Sequence, residues 1–250
     1  MRRFFLFLIC CGFGASAWGR EVYESPGFSA VLLDSGNLLN LKYAGELLAE
    51  KVSVVGEYKF PEGTKTADAR LNTEIAPETK KSIVRKENSV IVSVSTVLSS
   101  RIQKNAASLH AEYVFEPRKI ILSYTIRTSV PLEAQYRIFQ TEIRCSEKFF
   151  GRGFRSVGRN GNTEYKVLPK HYAKTFSFQE AEEFSISTET GIFTMDSDGS
   201  GWISWMDSRS WGGRNPVFRI SPPAVWKHQA VTWPVGSVWK WKIILTFDPE

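Results

Sequence analysis

The chain has 250 residues, with 32 Lys and Arg against 26 Asp and Glu and a formal net charge of +6. That excess is mild for the length, and it forms no single-sign block, which excludes the basic stripe of a nucleic-acid-binding module. No segment approaches the ~20 consecutive apolar residues of a membrane-spanning helix.

Met1 to Gly19 has the layout of a secretory signal peptide. Arg2 and Arg3 form a charged start, Phe4 to Phe13 an apolar run, and Ala15-Ser16-Ala17 a small-residue cleavage site. The expected product is exported, to the periplasm or beyond the cell. Its net charge falls from +6 to +4, because residues 1–19 hold two arginines and no acid. Cys10 and Cys11 leave with the leader, so Cys145 has no partner for an internal disulfide. Residues 20–250 are then expected to fold as a single domain held by its own core.

From there the apolar residues repeat with a period of two, the mark of strands with one buried face. Leu38 to Leu48 reads as a strand, a turn at Tyr43-Ala44-Gly45-Glu46, and a second strand. Val90, Val92 and Val94 share a face. So do Leu109, Ala111, Tyr113 and Phe115, then Ile120, Leu122, Tyr124 and Ile126. Glu116-Pro117-Arg118-Lys119 between the last two runs reads as a tight hairpin connection. The basic run Lys80-Lys81 to Arg85-Lys86 reads as a solvated strand edge or turn. Phe139, Thr141, Ile143 and Cys145 continue the alternation, which makes Cys145 a buried structural thiol. The pattern predicts a dozen or more antiparallel strands, an all-β, two-sheet sandwich.

Gly151 to Lys174 breaks the alternation with glycines and arginines and reads as a long loop. Glu180-Ala181-Glu182-Glu183 reads as one helical turn. Asp196-Ser197-Asp198-Gly199-Ser200-Gly201 has the alternate aspartates of a calcium loop but lacks its closing glutamate, and reads as an Asp-rich turn. Seven of the eight tryptophans then fall between Trp202 and Trp241. Trp239 and Trp241 sit at strand spacing beside Ile243, Leu245 and Phe247 and read as core. Four of the others suggest a surface that stacks on sugar rings: Trp202, Trp205, Trp211 and Trp233 as platforms, with Asp207, Arg209 and Arg214 taking hydroxyls. No Ser/His/Asp elbow, phosphate-binding glycine loop or Cys/His zinc spacing occurs, and neither metal nor cofactor is expected.

The opening Leu38-Leu39-Asn40-Leu41-Lys42-Tyr43-Ala44-Gly45-Glu46-Leu47-Leu48 and the closing Trp233-Pro234-Val235-Gly236-Ser237-Val238-Trp239-Lys240-Trp241 together resemble the galactose-mutarotase-like β-supersandwich. Aldose epimerases, several polysaccharide lyases and accessory domains of glycoside hydrolases share that fold. The resemblance implies a carbohydrate partner. It also implies acid/base chemistry by histidines, for which His110, His171 and His228 are the candidates. The late glutamate of the epimerases has no counterpart, since after Glu189 the sequence has only Glu250. A lyase would use Arg137, Arg144, Arg152 or Arg155 with His171 and Tyr172, but lyases of this fold carry part of their machinery on a helical domain absent here. Three functions follow: a non-catalytic or accessory carbohydrate-recognition domain, a sugar epimerase or lyase relative, and an exported structural or partner-binding domain.

Overall fold

The computed structural model describes residues 20–24, 27–59, 65–74, 79–134, 138–173, 181–222 and 231–249. The expected leader, 1–19, lies outside them. Among the described residues no helix is long and apolar enough to cross a membrane.

The chain opens as an antiparallel meander of β1 (Arg20–Glu24), β2 (Phe28–Leu33), β3 (Leu38–Tyr43) and β4 (Glu46–Gly56). A single helical turn, α1 (Thr66–Ala69), leads into β5 (Leu71–Glu74). A second meander follows: β6 (Lys80–Lys86), β7 (Ser89–Ser99), β8 (Ala107–Glu116) and β9 (Lys119–Thr128). After the short β10 (Leu132–Ala134) come β11 (Phe139–Cys145), β12 (Gly153–Gly158), β13 (Thr163–Val167), β14 (Ala181–Ser187) and β15 (Gly191–Asp196). The chain continues through β16 (Trp202–Asp207), β17 (Pro216–Ser221), β18 (Val231–Trp233) and β19 (Val238–Pro249).

Every pairing is antiparallel, and the pairings trace two layers. One sheet runs β1-β2-β3-β4-β11-β17-β16. The other runs β13-β12-β14-β15-β19-β9-β8-β7-β6. β5 bridges them along one margin by pairing with both β4 and β7, and Ala181 on β14 meets Ile203 on β16 along another. The two-sheet all-β architecture read from the alternation is therefore what the chain adopts.

Strict alternation decides which side chains meet between the layers. In β8, Leu109, Ala111, Tyr113 and Phe115 are buried while Ser108 and His110 point out. In β19, Trp241, Ile243, Leu245 and Phe247 are buried between more accessible neighbours. Aromatic rings tie the layers together: Tyr43 stacks on Phe247 at 3.9 Å, and Phe184 lies 4.4 Å from Phe218. Cys145 is fully buried in this core, and burial pushes its thiol pKa well up, away from nucleophilic use.

The turns follow their chemistry. Glu116 pairs with Lys119 across a two-residue connection. Tyr43 pairs with Glu46, which places Ala44 (φ 46°) and Gly45 (φ 88°) in the two left-handed positions of a type I′ turn. At Asp196 to Gly201 the Asp198 amide donates to the Asp196 carboxylate at 2.7 Å, and Lys242 pairs with Asp198 at 2.9 Å.

Two expectations are corrected. Glu180 lies outside the described residues, but Ala181, Glu182 and Glu183 are strand, not helix, because Phe184 and Ile186 are drawn into the core at strand spacing. The stretch read as one long loop holds the β12–β13 hairpin, closed at Gly158 to Asn162. Its glycines and arginines hid the alternation of buried Phe154 and Ser156.

Candidate functional site

On the outer face of the first sheet, β4, β11, β17 and β16 lay their alternate residues in cross-strand rows. The middle row is Ser53, Glu142, Arg219 and Ser204. One row along the strands lie Lys51, Arg144, Val217 and Met206, with Leu39 on β3 opposite Lys51. On the other side are Val55, opposite Gln140, and Trp202, opposite Ser221. Continuing the β11–β17 register by one step sets Gln140 against Ser221 and completes that row.

These polar groups are outward-facing yet sequestered. Gln140 is 3% exposed and Ser221 0%, and Ser53 and Ser204 are buried too. The placement follows from sequence: Glu142 sits between fully buried Thr141 and Ile143, and Arg219 between fully buried Phe218 and Ile220. Arg70 is delivered to the same face by α1 and β5, flanked by the buried anchors Ala69 and Leu71.

Glu142 is held by two guanidinium groups. Arg219 Nε donates to its Oε1 at 2.9 Å, Arg219 Nη2 adds an ion-pair contact to the same oxygen at 2.9 Å, and Arg70 Nη2 donates to Oε2. Arg219 Nη2 also reaches Glu57 Oε1 at 3.3 Å. Both carboxylate oxygens of Glu142 are thus engaged by cations, so the group acts as an acceptor and a brace, not as a free base. Lys51 has its pKa lowered, first by burial and then by the neighbouring charges of Arg144 and Arg70, against the opposing pull of Glu142. One row along, Gln140 Nε2 and Ser221 Oγ are buried and have no hydrogen-bond partner among the described residues. A buried donor left unmet costs about 1–3 kcal/mol, and both atoms are closed to solvent, so this row is a local cost borne beside the braced carboxylate.

The described members of the predicted tryptophan set do not share one face. Trp202 points out beside Ser221, with the Arg159 guanidinium 5.8 Å from its ring centre. Trp205 faces the core at 4% exposure, opposite Phe218, where no sugar can reach its ring. Trp233 lies on β18, paired with β10, its ring 5.0 Å from Trp239 and partly buried. Trp211 lies in the 3-10 turn Ser208–Trp211, and its side chain is outside the described residues.

Asp207 and Arg209 turn to each other instead of to solvent. Asp207 caps that 3-10 turn and takes a two-pronged ion pair from Arg209, at 2.8 and 2.6 Å. Arg209 also donates to the carbonyls of Lys170 (2.6 Å) and Pro169 (3.0 Å) and stacks over Phe150 at 3.8 Å. This pair pins the segment after β13 to the β16–β17 connection. Arg214 is exposed on that same connection.

His110 stands apart from the lattice. His110 is on the outer face of the second sheet, its Nδ1 3.0 Å from Ser95 Oγ, in a recess of about 420 Å³ lined also by Thr125 and Arg127. No carboxylate lines that recess among the described residues. His171 is exposed after β13, and His228 and Arg137 lie outside the described residues. Arg152 and Arg155 pair with Glu189 and Glu183. Among the described residues no group of three or more His, Cys, Asp or Glu is placed to hold a metal ion.

Sequence reasoning passed over Gln140, Glu142, Arg219 and Ser221. The signal available was polar residues on the outward parity of strands whose inward parity is mostly apolar, as with Phe139, Ile143, Phe218 and Ile220.

No protein-family model matches the chain, and no curated protein matches it by sequence. Solved structures do match in three dimensions. A galactose mutarotase-like protein from Lactobacillus casei is 10% identical, with 92% of this chain and 100% of that one covered at a TM-score of 0.56. Galactose 1-epimerase from Lactobacillus acidophilus is 8% identical, covering 91% and 93% at 0.55. The 4-alpha-glucanotransferase from Thermococcus litoralis is 12% identical over 93% of this chain but 38% of its own, at 0.51. Two antiparallel sheets in this order, matched end to end by such structures, give the chain the galactose-mutarotase-like β-supersandwich fold.

Proposed function

We propose that the chain is an exported carbohydrate-recognition domain, processed near residue 19 and spanning residues 20–250, that binds sugar without transforming it. The lattice on β4, β11, β17 and β16 is its sugar site, and Trp202 is the ring that borders it. The observation that carries this reading is the outward-facing polar lattice, in which Glu142 is braced by two arginines and exposed Arg144 stands opposite Lys51 on the same face. Sugar hydroxyls are both donors and acceptors and meet such groups well, while an indole edge supplies an apolar wall. The placement of His110 on the outer face of the second sheet, in a recess that no carboxylate lines among the described residues, supports recognition over acid/base catalysis. The fold's occurrence as part of a longer glucanotransferase accords with an accessory role.

The test is a soluble-saccharide screen on the processed protein by tryptophan fluorescence, with NMR of the anomeric protons of any hit. Recognition predicts saturable binding that Arg144→Gln and Trp202→Ala weaken at least about tenfold, or about 1.4 kcal/mol, with the sugar recovered unchanged. Conversion of the sugar, lost in His110→Ala, would replace this reading with an enzymatic one.

A further inference from the structure

The second sheet ends on β13 at one margin and on β6 at the other, and the two edges are built differently. Among the described residues β13 pairs only with β12, and β6 only with β7. β6 carries Lys80, Lys81, Arg85 and Lys86. An antiparallel copy of it centred on Ile83 would set Lys80 against Lys86 and Lys81 against Arg85. Like charges so placed repel, which is how natural sheets keep a free edge single. β13, Thr163-Glu164-Tyr165-Lys166-Val167, has no such guard. All five residues are exposed, and its one cation, Lys166, is balanced by Glu164 at 2.8 Å.

The hairpin decides which backbone groups of β13 are free. The Gly158 amide donates to the Asn162 carbonyl at 2.8 Å, and the Leu168 amide to the Arg152 carbonyl at 3.0 Å. Hydrogen-bonded and non-bonded pairs alternate in an antiparallel ladder. In the register between those two bonds, Glu164 and Lys166 are therefore the residues that bond to β12, opposite Ser156 and Phe154. The amides and carbonyls of Thr163, Tyr165 and Val167 point away from the sheet. Tyr165 and Val167 are 75% and 57% exposed, and with Ile192, at 43%, they border a recess of about 780 Å³ on the outer face.

We propose that β13 is a dimerisation edge, pairing antiparallel with β13 of a second copy about a two-fold axis at Tyr165. In this register Thr163 meets Val167 of the second copy and Tyr165 meets its own counterpart. Every outward amide and carbonyl of the strand is then used, about six hydrogen bonds across the seam. Glu164 meets Lys166 of the second copy at both non-bonded positions, where facing side chains stand about 4.5–5.5 Å apart and opposite charges attract. Moving the axis to Glu164 or to Lys166 keeps the hydrogen-bonding parity but sets Glu164 on Glu164 or Lys166 on Lys166. Charge therefore selects the register centred on Tyr165. The same pairing covers part of the exposed Tyr165 and Val167. It is closed, because it consumes the edge of both copies, and the basic β6 at the far margin keeps the joined sheet from growing.

The experiment is sedimentation velocity on the processed protein from roughly 5 to 500 μM, the range suited to a dimer with a small interface. The parent is expected to shift from monomer to dimer across that range, and less so as ionic strength rises. Glu164→Lys and Lys166→Glu each put like charges at both facing positions and should weaken association at least about tenfold. An equimolar mixture of the two variants should recover a dimer, because the cations of one strand then face the acids of the other. The double variant Glu164→Lys/Lys166→Glu should associate as the parent does. Tyr165→Pro removes a donor that points away from β12, so it should abolish the dimer while circular dichroism and thermal unfolding show an intact monomer. A parent that stays monomeric at every concentration overturns the proposal. So does a dimer indifferent to Tyr165→Pro and to both charge reversals, or a mixture that associates no better than its components.

Discussion

Replacing Glu142 with glutamine tests whether the lattice is braced as described. The parent carboxylate accepts two charge-assisted hydrogen bonds, one from Arg219 Nε and one from Arg70, and a further ion-pair contact from Arg219 Nη2. Its side chain is 11% exposed, and those of its partners are 18% and 30% exposed. Removing one member of a fully buried ion pair costs about 3–5 kcal/mol. Here the cost is smaller, because Arg70 can turn to water and Arg219 keeps Glu57 at 3.3 Å. A loss of about 2–3 kcal/mol remains, since Arg70, Arg219, Lys51 and Arg144 would then face one another with less counter-charge. With a urea slope near the upper end for small proteins, about 3 kcal/mol per molar, the unfolding midpoint should fall by roughly 0.7–1 M. Equilibrium unfolding followed by tryptophan fluorescence reads this directly. Adding about 1 M salt should recover part of the loss, because screening relieves cation repulsion. A cycle with Arg219→Gln should show a coupling of about 1 kcal/mol or more. A midpoint shift under about 0.3 M, or a coupling near zero, would refute the brace.

Other outcomes follow from features away from the lattice. Ala44 occupies a left-handed position that suits asparagine, so Ala44→Asn, making an Asn-Gly type I′ turn, should stabilise the protein by about 0.5–1 kcal/mol in thermal unfolding. Arg209→Ala should release the segment after β13 from the β16–β17 connection, seen as faster amide exchange at residues 168–173 and faster proteolysis there, with the remaining strands protected as before. Burial raises the pKa of both Tyr113 and Tyr124 above the ordinary value near 10. The unfolded chain therefore ionises first, and stability is full below about pH 10 and falls as pH climbs past it. Tyr124→Phe should flatten that fall, and Tyr113 and Tyr124 should titrate at 295 nm only on unfolding. Trp205→Ala should cost about 3–5 kcal/mol as a core truncation, whereas Trp202→Ala should cost far less stability than ligand affinity.

The strands were legible because burial of one face imposes a period of two, and Leu109 to Phe115 or Ile120 to Ile126 satisfy it without exception. The β12–β13 hairpin was not, because its exposed face carries Arg155 and its ends are glycines, so only Phe154 and Ser156 keep the period. Trp202 and Trp205 illustrate what parity can and cannot settle. They are three residues apart in one strand, so only one can face inward, but choosing between them requires knowing which of Ile203 and Ser204 meets the second sheet. Asp207 and Arg209 were read as ligand groups from composition. Their pairing arises from a 3-10 turn that brings positions two apart into contact, a geometry that strand alternation does not anticipate. The lattice itself is formed by strands distant in the chain, β4, β11, β17 and β16, and cross-strand neighbours of that kind leave no local trace.

The pairing order of the second sheet bears on how the chain reaches this state. β19 lies between β9 and β15, matched to Lys119–Arg127 on one side and Gly191–Asp196 on the other. β10 to β18 are synthesised after β9 and before its neighbour. Throughout that interval the edge of β9, with Ile120, Leu122 and Tyr124 destined for the interior, has no strand to receive its amides and carbonyls. Long-range closure of this type folds slowly and exposes sticky edges meanwhile. Until residues 238–249 arrive, nascent chains should remain dependent on holdase chaperones, and ribosome-stalled forms ending before Val238 should be protease-sensitive along β9 and β15.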